Sequence, residues 1–212
     1  MIKAIIPARG GSKSIIKKNL VNLNGCPLIT WTIKAAQNSK FIDEVWVSTE
    51  DNDIAKVSQS LGAKILMRPA ELANDVSTSE SALLHFHENI QYDIMVFIQA
   101  TSPLITSQDI DKGIDKLLKD NLDSIFSVTR KHWIPTWSMD LKPIEWNIET
   151  RPRRQDKPEV YEENGAFYIT TRNQFDKTKV RYGGKIGVVE IPLLRSFQID
   201  TIEDLDLIRR IK

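Results

Sequence analysis

One cysteine in 212 residues, Cys26, excludes an internal disulfide and any multi-cysteine metal site. No charge excess is present either: 29 lysines and arginines face 28 aspartates and glutamates, a net charge of +1. No global field therefore argues for nucleic acid or a membrane surface as partner. No apolar run approaches the roughly twenty residues of a membrane span. The short apolar stretch at the amino terminus runs straight into glycine and lysine, unlike a signal peptide. The expectation is a cytoplasmic protein. Two glycine patterns are missing as well, the dinucleotide fingerprint G-x-G-x-x-G and the P-loop G-x-x-x-x-G-K-[ST]. Oxidoreductase and ATPase readings lose their expected signatures with them. There are no internal repeats and no low-complexity tract. The 41% hydrophobic and 27% charged content is ordinary for a soluble globular chain. Its length fits a single domain over residues 1–212.

What is present begins with the first nineteen residues. Ala4 to Ile6 is a short apolar run of the buried parallel-strand kind. It breaks at Pro7 and opens into Arg9, Gly10, Gly11, Ser12 and Lys13, with Lys17, Lys18 and Asn19 just beyond. Paired glycines allow backbone amides to turn inward, and the cations add positive charge. A strand that empties into such a loop is a place to hold phosphates.

The same alternation recurs along the chain. A helix is expected from Pro27 towards Asn38, then a strand Val45–Thr49 and a helix capped by Asp51 or Asn52 and stopped by Gly62. Lys64–Met67 reads as a strand, Ser77 to Glu80 as a capping box, and Ile94–Ile98 as the most strand-like run. A helix over Ser107–Lys119 and a strand over Ser124–Val128 follow, with further strands at Gly165–Ile169 and Gly187–Ile191 and a closing helix Glu203–Ile211. Strands alternating with helices predict an α/β fold: a Rossmann-like, three-layer, mostly parallel sheet covered on both faces. Arg9 to Asn19, Arg68 and Gln99 to Ser102 would then line one crevice at the strands' carboxyl ends. Between about residues 131 and 163 four prolines exclude a long helix. Trp133, Trp137 and Trp146 are more large aromatics than a solvated linker carries. That segment reads as a protruding excursion packed on a second subunit, or as a loop packed back on its own domain, in nearly even balance.

A basic loop on an α/β sheet suits chemistry at a nucleoside triphosphate, where charge neutralisation and positioning do most of the work. A hard metal ion at such a site wants carboxylates, water and phosphate oxygens. Asp200 is the best candidate, although local pattern favours it as the N-cap of the closing helix, with Glu203 in support. His85 and His87, two apart on a helix, cannot chelate together, and His132 stays unassigned. Cys26 reads as a small buried or half-buried residue.

The motif order is more specific than any one loop. Ile6-Pro-Ala-Arg-Gly-Gly-Ser-Lys13 with Lys18-Asn19 is followed by Val47-Ser-Thr49, Arg68-Pro-Ala-Glu-Leu72, Ser77-Thr-Ser79 and Gln99-Ala-Thr-Ser-Pro103. Asp123–Val128, Arg151–Asp156, Tyr161 with Glu163–Tyr168, and Ile199-Asp-Thr201 complete the series. Over nearly the whole chain it resembles the acylneuraminate cytidylyltransferases, the CMP-sialic acid synthetases and their relatives. The resemblance implies Mg²⁺-dependent transfer of CMP from CTP to the anomeric hydroxyl of a nine-carbon 2-keto sugar acid, N-acetylneuraminate or a legionaminate or pseudaminate relative, with release of pyrophosphate. It implies a homodimer in which the segment of about 131–163 closes the partner's sugar site. It places Arg9, Ser12 and Lys18 on the triphosphate, and Asn19, Arg68, Ser79 and Gln99 on the nucleotide or the adjoining sugar. Arg154, Gln155 and Tyr168 fall around the sugar acid, and Asp200 on the metal, which reverses the local preference for a cap.

Three departures stand out. The first carboxylate of the usual Asp-x-Asp is replaced by Gln198, arginine after Ser-Pro-Leu by Ile105, and a usual glycine by Ser14. A single aspartate with waters and phosphate oxygens still suffices for Mg²⁺. Alternative readings are a cytidylyltransferase for an eight-carbon acid of the Kdo type, and a CTP-binding module that has lost its chemistry.

Overall fold

The computed structural model describes all 212 residues. In chain order the elements are β1 (Ile2–Pro7), β2 (Asn22–Leu23), β3 (Cys26–Pro27), α1 (Leu28–Gln37), β4 (Glu44–Thr49), α2 (Asn52–Ser60), β5 (Lys64–Met67), α3 (Ser79–Asn89) and β6 (Ile94–Ile98). Then come α4 (Ser107–Lys119), β7 (Ser124–Lys131), β8 (Thr136–Trp137), β9 (Pro143–Ile144), β10 (Val160–Thr171), α5 (Arg172–Thr178), β11 (Ile186–Glu190) and α6 (Ile202–Ile211). Seven strands make one sheet in the order β11-β7-β10-β6-β1-β4-β5. All are parallel except β10, which runs antiparallel to both β6 and β7. No helix is long and apolar enough to cross a membrane.

The two-residue period of a strand explains the layers. Ala4 and Ile6 of β1 join Ile33 of α1 and Ile110 and Ile114 of α4 in one core, while Ile5 faces Leu83 and Phe86 of α3 and Phe175 of α5. A third apolar cluster is smaller and matters more to function. Ile15 from the opening loop, Leu23, and Leu28 of α1 pack with Ile199 and with Leu205 and Ile208 of α6. It fastens the two ends of the chain together beside the sheet edge.

Helix caps differ from the sequence reading in two places. Thr78 alone caps α3, its hydroxyl accepting from the Ser81 amide, and no reciprocal bond from Glu80 completes a box. Glu80 is held elsewhere, by Arg181. At α6 the cap is Thr201, boxed with Asp204, so Asp200 is not the cap and its carboxylate is free for other partners.

The expected excursion is narrower than 131–163, because Lys131 ends β7 and residues 160–163 pair with it as the start of β10; the residues between form the small hairpin β8–β9 and a short 3-10 turn, Arg154–Asp156. Trp146 lies edge-on between Trp133 and Trp137, at 6.4 and 4.8 Å between ring centres, and donates its indole N–H to the Thr136 carbonyl at 2.9 Å. The tryptophans pack on one another, yet Ile134, Met139, Leu141 and Ile148 remain exposed.

Candidate active site

Because β1, β4, β5 and β6 run parallel, their carboxyl ends meet at one edge of the sheet. There a cleft of about 340 Å³ is lined by Arg9, Ser12, Lys13, Lys18 and Asn19 from the opening loop, Ser79 from α3, and Phe97, Gln99 and Thr101 from the end of β6. A smaller chamber of about 180 Å³ adjoins it, with Arg68, Ser77 and Thr78 in its wall. Pro7, Arg9 and Ser79 belong to both.

Lys18 sits at the meeting of the two chain ends. Its Nζ donates to the Ile199 carbonyl at 3.1 Å and to Asp200 Oδ1 at 2.9 Å. The lysine side chain is 14% exposed, the aspartate 65%. Ile15 and Ile199, both buried in the third cluster, set that encounter from either side. Asn19, itself buried, donates its amide to the Arg9 carbonyl at 2.9 Å and braces the loop from behind.

The glycines work differently from the sequence expectation. Neither Gly10 nor Gly11 has a left-handed backbone; the left-handed residue of this loop is Lys17, at φ 51°. Gly10 is required by close approach, since a Cβ there would lie 2.4 Å from an oxygen of Asp51. Its amide does not turn into the cleft. It donates to Glu50 Oε1 at 2.7 Å. Cations, rather than this amide, are what the loop offers an anion.

The other oxygen of Glu50 faces Arg68 Nη2 at 3.5 Å. Arg68 is almost wholly buried, its Nε has no partner, and burial pulls its pKa down against the opposing pull of Glu50. A buried, unpaired donor of that kind is costly unless a ligand completes it. Outside the cleft mouth, Asp75 bridges Arg9 Nη1 at 3.1 Å and Lys13 Nζ at 2.7 Å. Lys13 first and Arg9 after it hold the Asp75 carboxyl below its usual range. Glu50 and Asp75 were not singled out from sequence; Glu50 stood in the polar run after β4, and nothing local marks Asp75.

Gln198 has a defined task. Its Nε2 donates to the Asn164 carbonyl at 2.7 Å, at a bulge of β10 where Gly165 adopts φ 72°. A Cβ on Gly165 would come within 2.6 Å of Gln198 Nε2 and 3.1 Å of Gln99 Nε2. A carboxylate at 198 would have no proton to give that carbonyl. Ile105, where an arginine was the usual residue, is buried in the main core. No three His, Cys, Asp or Glu side chains converge to hold a metal.

Of the sequence candidates, Arg9, Ser12, Lys18, Asn19, Arg68, Ser79 and Gln99 line the two chambers. Asp200 touches Lys18 at their edge. Tyr168 does not line either. It lies behind Phe97, with rings stacked at 5.4 Å, and donates its hydroxyl to Glu163. Burial and that carboxylate push its pKa well up. Arg154 and Gln155 are not brought to this cleft; both are exposed on the excursion.

The comparisons with known proteins bear on the family and the fold. A family model described as cytidylyltransferase matches residues 3–212. The N-acylneuraminate cytidylyltransferase of Oncorhynchus mykiss is 38% identical over 97% of this chain and 48% of its own length. The pseudaminic acid cytidylyltransferase of Campylobacter jejuni is 30% identical over 95% of this chain and 92% of its own. This chain thus spans about half the length of the fish protein and most of the bacterial one. Among solved structures, a CMP:2-keto-3-deoxy-manno-octonic acid synthetase complexed with CTP superposes with a TM-score of 0.75, at 19% identity and over 99% of this chain and 97% of that one. At that identity the likeness speaks for the fold alone.

Proposed function

We propose a reaction from a premise that the match across residues 3–212 establishes: this chain belongs to the cytidylyltransferase family. The reaction is transfer of CMP from CTP to the anomeric hydroxyl of a nine-carbon 2-keto sugar acid, with release of pyrophosphate. The observation that carries it is the convergence of Arg9, Lys13 and Lys18 on one cleft beside the buried, incompletely bonded Arg68. Named relatives that act on N-acylneuraminate and pseudaminic acid support the nine-carbon class.

The chemistry follows from the charges. The hydroxyl oxygen attacks the α-phosphorus and releases its proton to solvent, the bond from that phosphorus to the oxygen bridging it to the β-phosphate breaks, and pyrophosphate leaves with the electron pair of that bond and its negative charge. Arg9 and Lys18 neutralise that charge as it grows, which lowers the barrier more than it stabilises the substrate. Lys18, fixed by the Ile199 carbonyl and Asp200, needs little reorganisation to do so. Arg68, with Ser77 and Ser79 near it, reads the nucleotide in the smaller chamber. Gln99 and Asn19 orient what lies between the chambers.

The donor set fits Mg²⁺ held by one protein carboxylate. Asp200 is exposed, only its Oδ1 is engaged, and Gln198 beside it contributes no charge. Phosphate oxygens and water complete such a shell. When bound, the ion would add charge neutralisation at the triphosphate.

The homodimer is part of the same proposal. The exposed apolar side chains of residues 131–163 and the exposed Arg154 and Gln155 support a segment that completes the sugar half of a second copy's cleft, with Arg154 gripping the acid's carboxylate. The test is pyrophosphate release from CTP and Mg²⁺ with N-acetylneuraminate, legionaminate, pseudaminate or Kdo. Release with a nine-carbon acid is the expected result. Release with Kdo alone moves the substrate to the eight-carbon class, and CTP binding without release from any acid overturns the enzyme reading.

A further inference from the structure

The first turn of α3 carries a negative charge one residue along the chain from the cleft wall. Ser79, its first residue, lines both chambers, and Glu80 follows it directly. The amino terminus of a helix favours anions, and a carboxylate in its first turn occupies that preference. A bare Glu80 would therefore compete with an anionic nucleotide for the same positive end.

Arg181, from the loop between α5 and β11, answers that charge. Its Nε donates to Glu80 Oε1 at 2.6 Å and its Nη2 to Oε2 at 2.8 Å, a two-pronged pairing. The side chains are 19% and 31% exposed. The same guanidinium lies over Phe97, 5.2 Å from the ring centre, and over Tyr168 at 4.9 Å. Phe97 is a wall of the cleft, and Tyr168 stacks behind it. One cation thus ties three elements that meet at the site, α3, β6 and β10. Half-buried ion pairs are weak evidence for stability in themselves, because packed apolar groups do as well.

We infer that Arg181 is a positioning residue for the nucleotide: by neutralising Glu80 and anchoring it to the Phe97–Tyr168 wall, it keeps the start of α3 receptive to the nucleotide. It touches no substrate. It acts through Glu80 and Ser79. The inference rests on the proposed use of CTP.

Calorimetric titration of the full chain with CTP tests it, with melting temperature followed in parallel. Arg181→Met is expected to weaken CTP about tenfold. Arg181→Gln, which keeps a donor towards Glu80 but no charge, is expected to do the same and covers the case in which the methionine variant folds poorly. The double variant Arg181→Met with Glu80→Gln separates charge from packing. Its affinity is expected to return to within about threefold of wild type while its melting temperature stays below wild type. Unchanged CTP affinity in both single variants overturns the inference, and so does a double variant as weak as Arg181→Met. A wild-type chain that binds no CTP overturns the proposed function and this inference together, so the two failures are distinguishable.

Discussion

In the cleft, Lys18 meets a carbonyl and a carboxylate, Arg68 is buried against Glu50, and Asn19 is tied back to the Arg9 carbonyl. In residues 131–163, Met139 stands 99% exposed and Leu141 78%. The first region orders its polar groups within one chain. The second leaves apolar surface that one chain does not cover, although its three tryptophans show that it can pack locally. The difference separates what one chain's fold orders from the apolar surface it leaves exposed, which the proposed second copy would cover. The proposed nucleotide half is of the first kind, and the proposed sugar half of the second.

The contrast breaks most sharply at Lys18. Lys18→Ala should cut pyrophosphate release by about 10²–10³-fold, the scale of losing one preorganised charge, with little change in circular dichroism. Near-normal turnover in that folded variant would remove Lys18 from the mechanism. At the open region, Met139→Asp with Leu141→Asp should weaken self-association at least about tenfold by sedimentation while CTP still binds. Unaltered association would place the contact elsewhere.

Smaller effects sharpen the same division. Thr201→Ala removes the cap of α6 and should cost about 1 kcal/mol in denaturant unfolding. It should also loosen the Lys18–Asp200 contact that α6 helps to fix, seen as a raised KM for CTP. The smallest expected effect lies at the far edge of the sheet. Lys64, then Lys3 and Trp46, hold the Glu44 pKa down at about 2 from an ordinary 4.5. Its stabilisation is therefore full above pH 4.5 and lost as pH falls towards 2. Glu44→Gln should cost less than about 1 kcal/mol at neutral pH. It should flatten the acid limb of the stability curve in that window and leave CTP binding alone.

How much of this was legible in the sequence depends on the range of the interaction. The edge where Arg9, Arg68 and Gln99 meet follows from parallel strands with polar ends, and their period reveals them without a structure. Caps were less secure. Asp200 looks like an N-cap because a carboxylate three residues before Glu203 satisfies the local rule, yet Thr201 and Asp204 satisfy it one residue later. Gly10 read as a turn residue, whereas its reason is Asp51, forty-one residues away, which fills the space a Cβ would need. Arg181 and Glu80 are separated by 101 residues and carry no motif, so only folding shows them as a pair. Gln198 looked like a loss; the carbonyl of Asn164 gives its amide a use that local sequence does not reveal.

The division between a self-contained nucleotide half and a shared sugar half is tested most directly by mixing two inactive chains. Lys18→Ala disables the cleft and leaves the excursion intact; Arg154→Ala does the reverse. If the excursion serves a partner's cleft, each mixed dimer regains one whole site. Random pairing then restores roughly a quarter of wild-type pyrophosphate release. A mixture no more active than its two components would show that each chain completes its own site, and would contradict the shared arrangement.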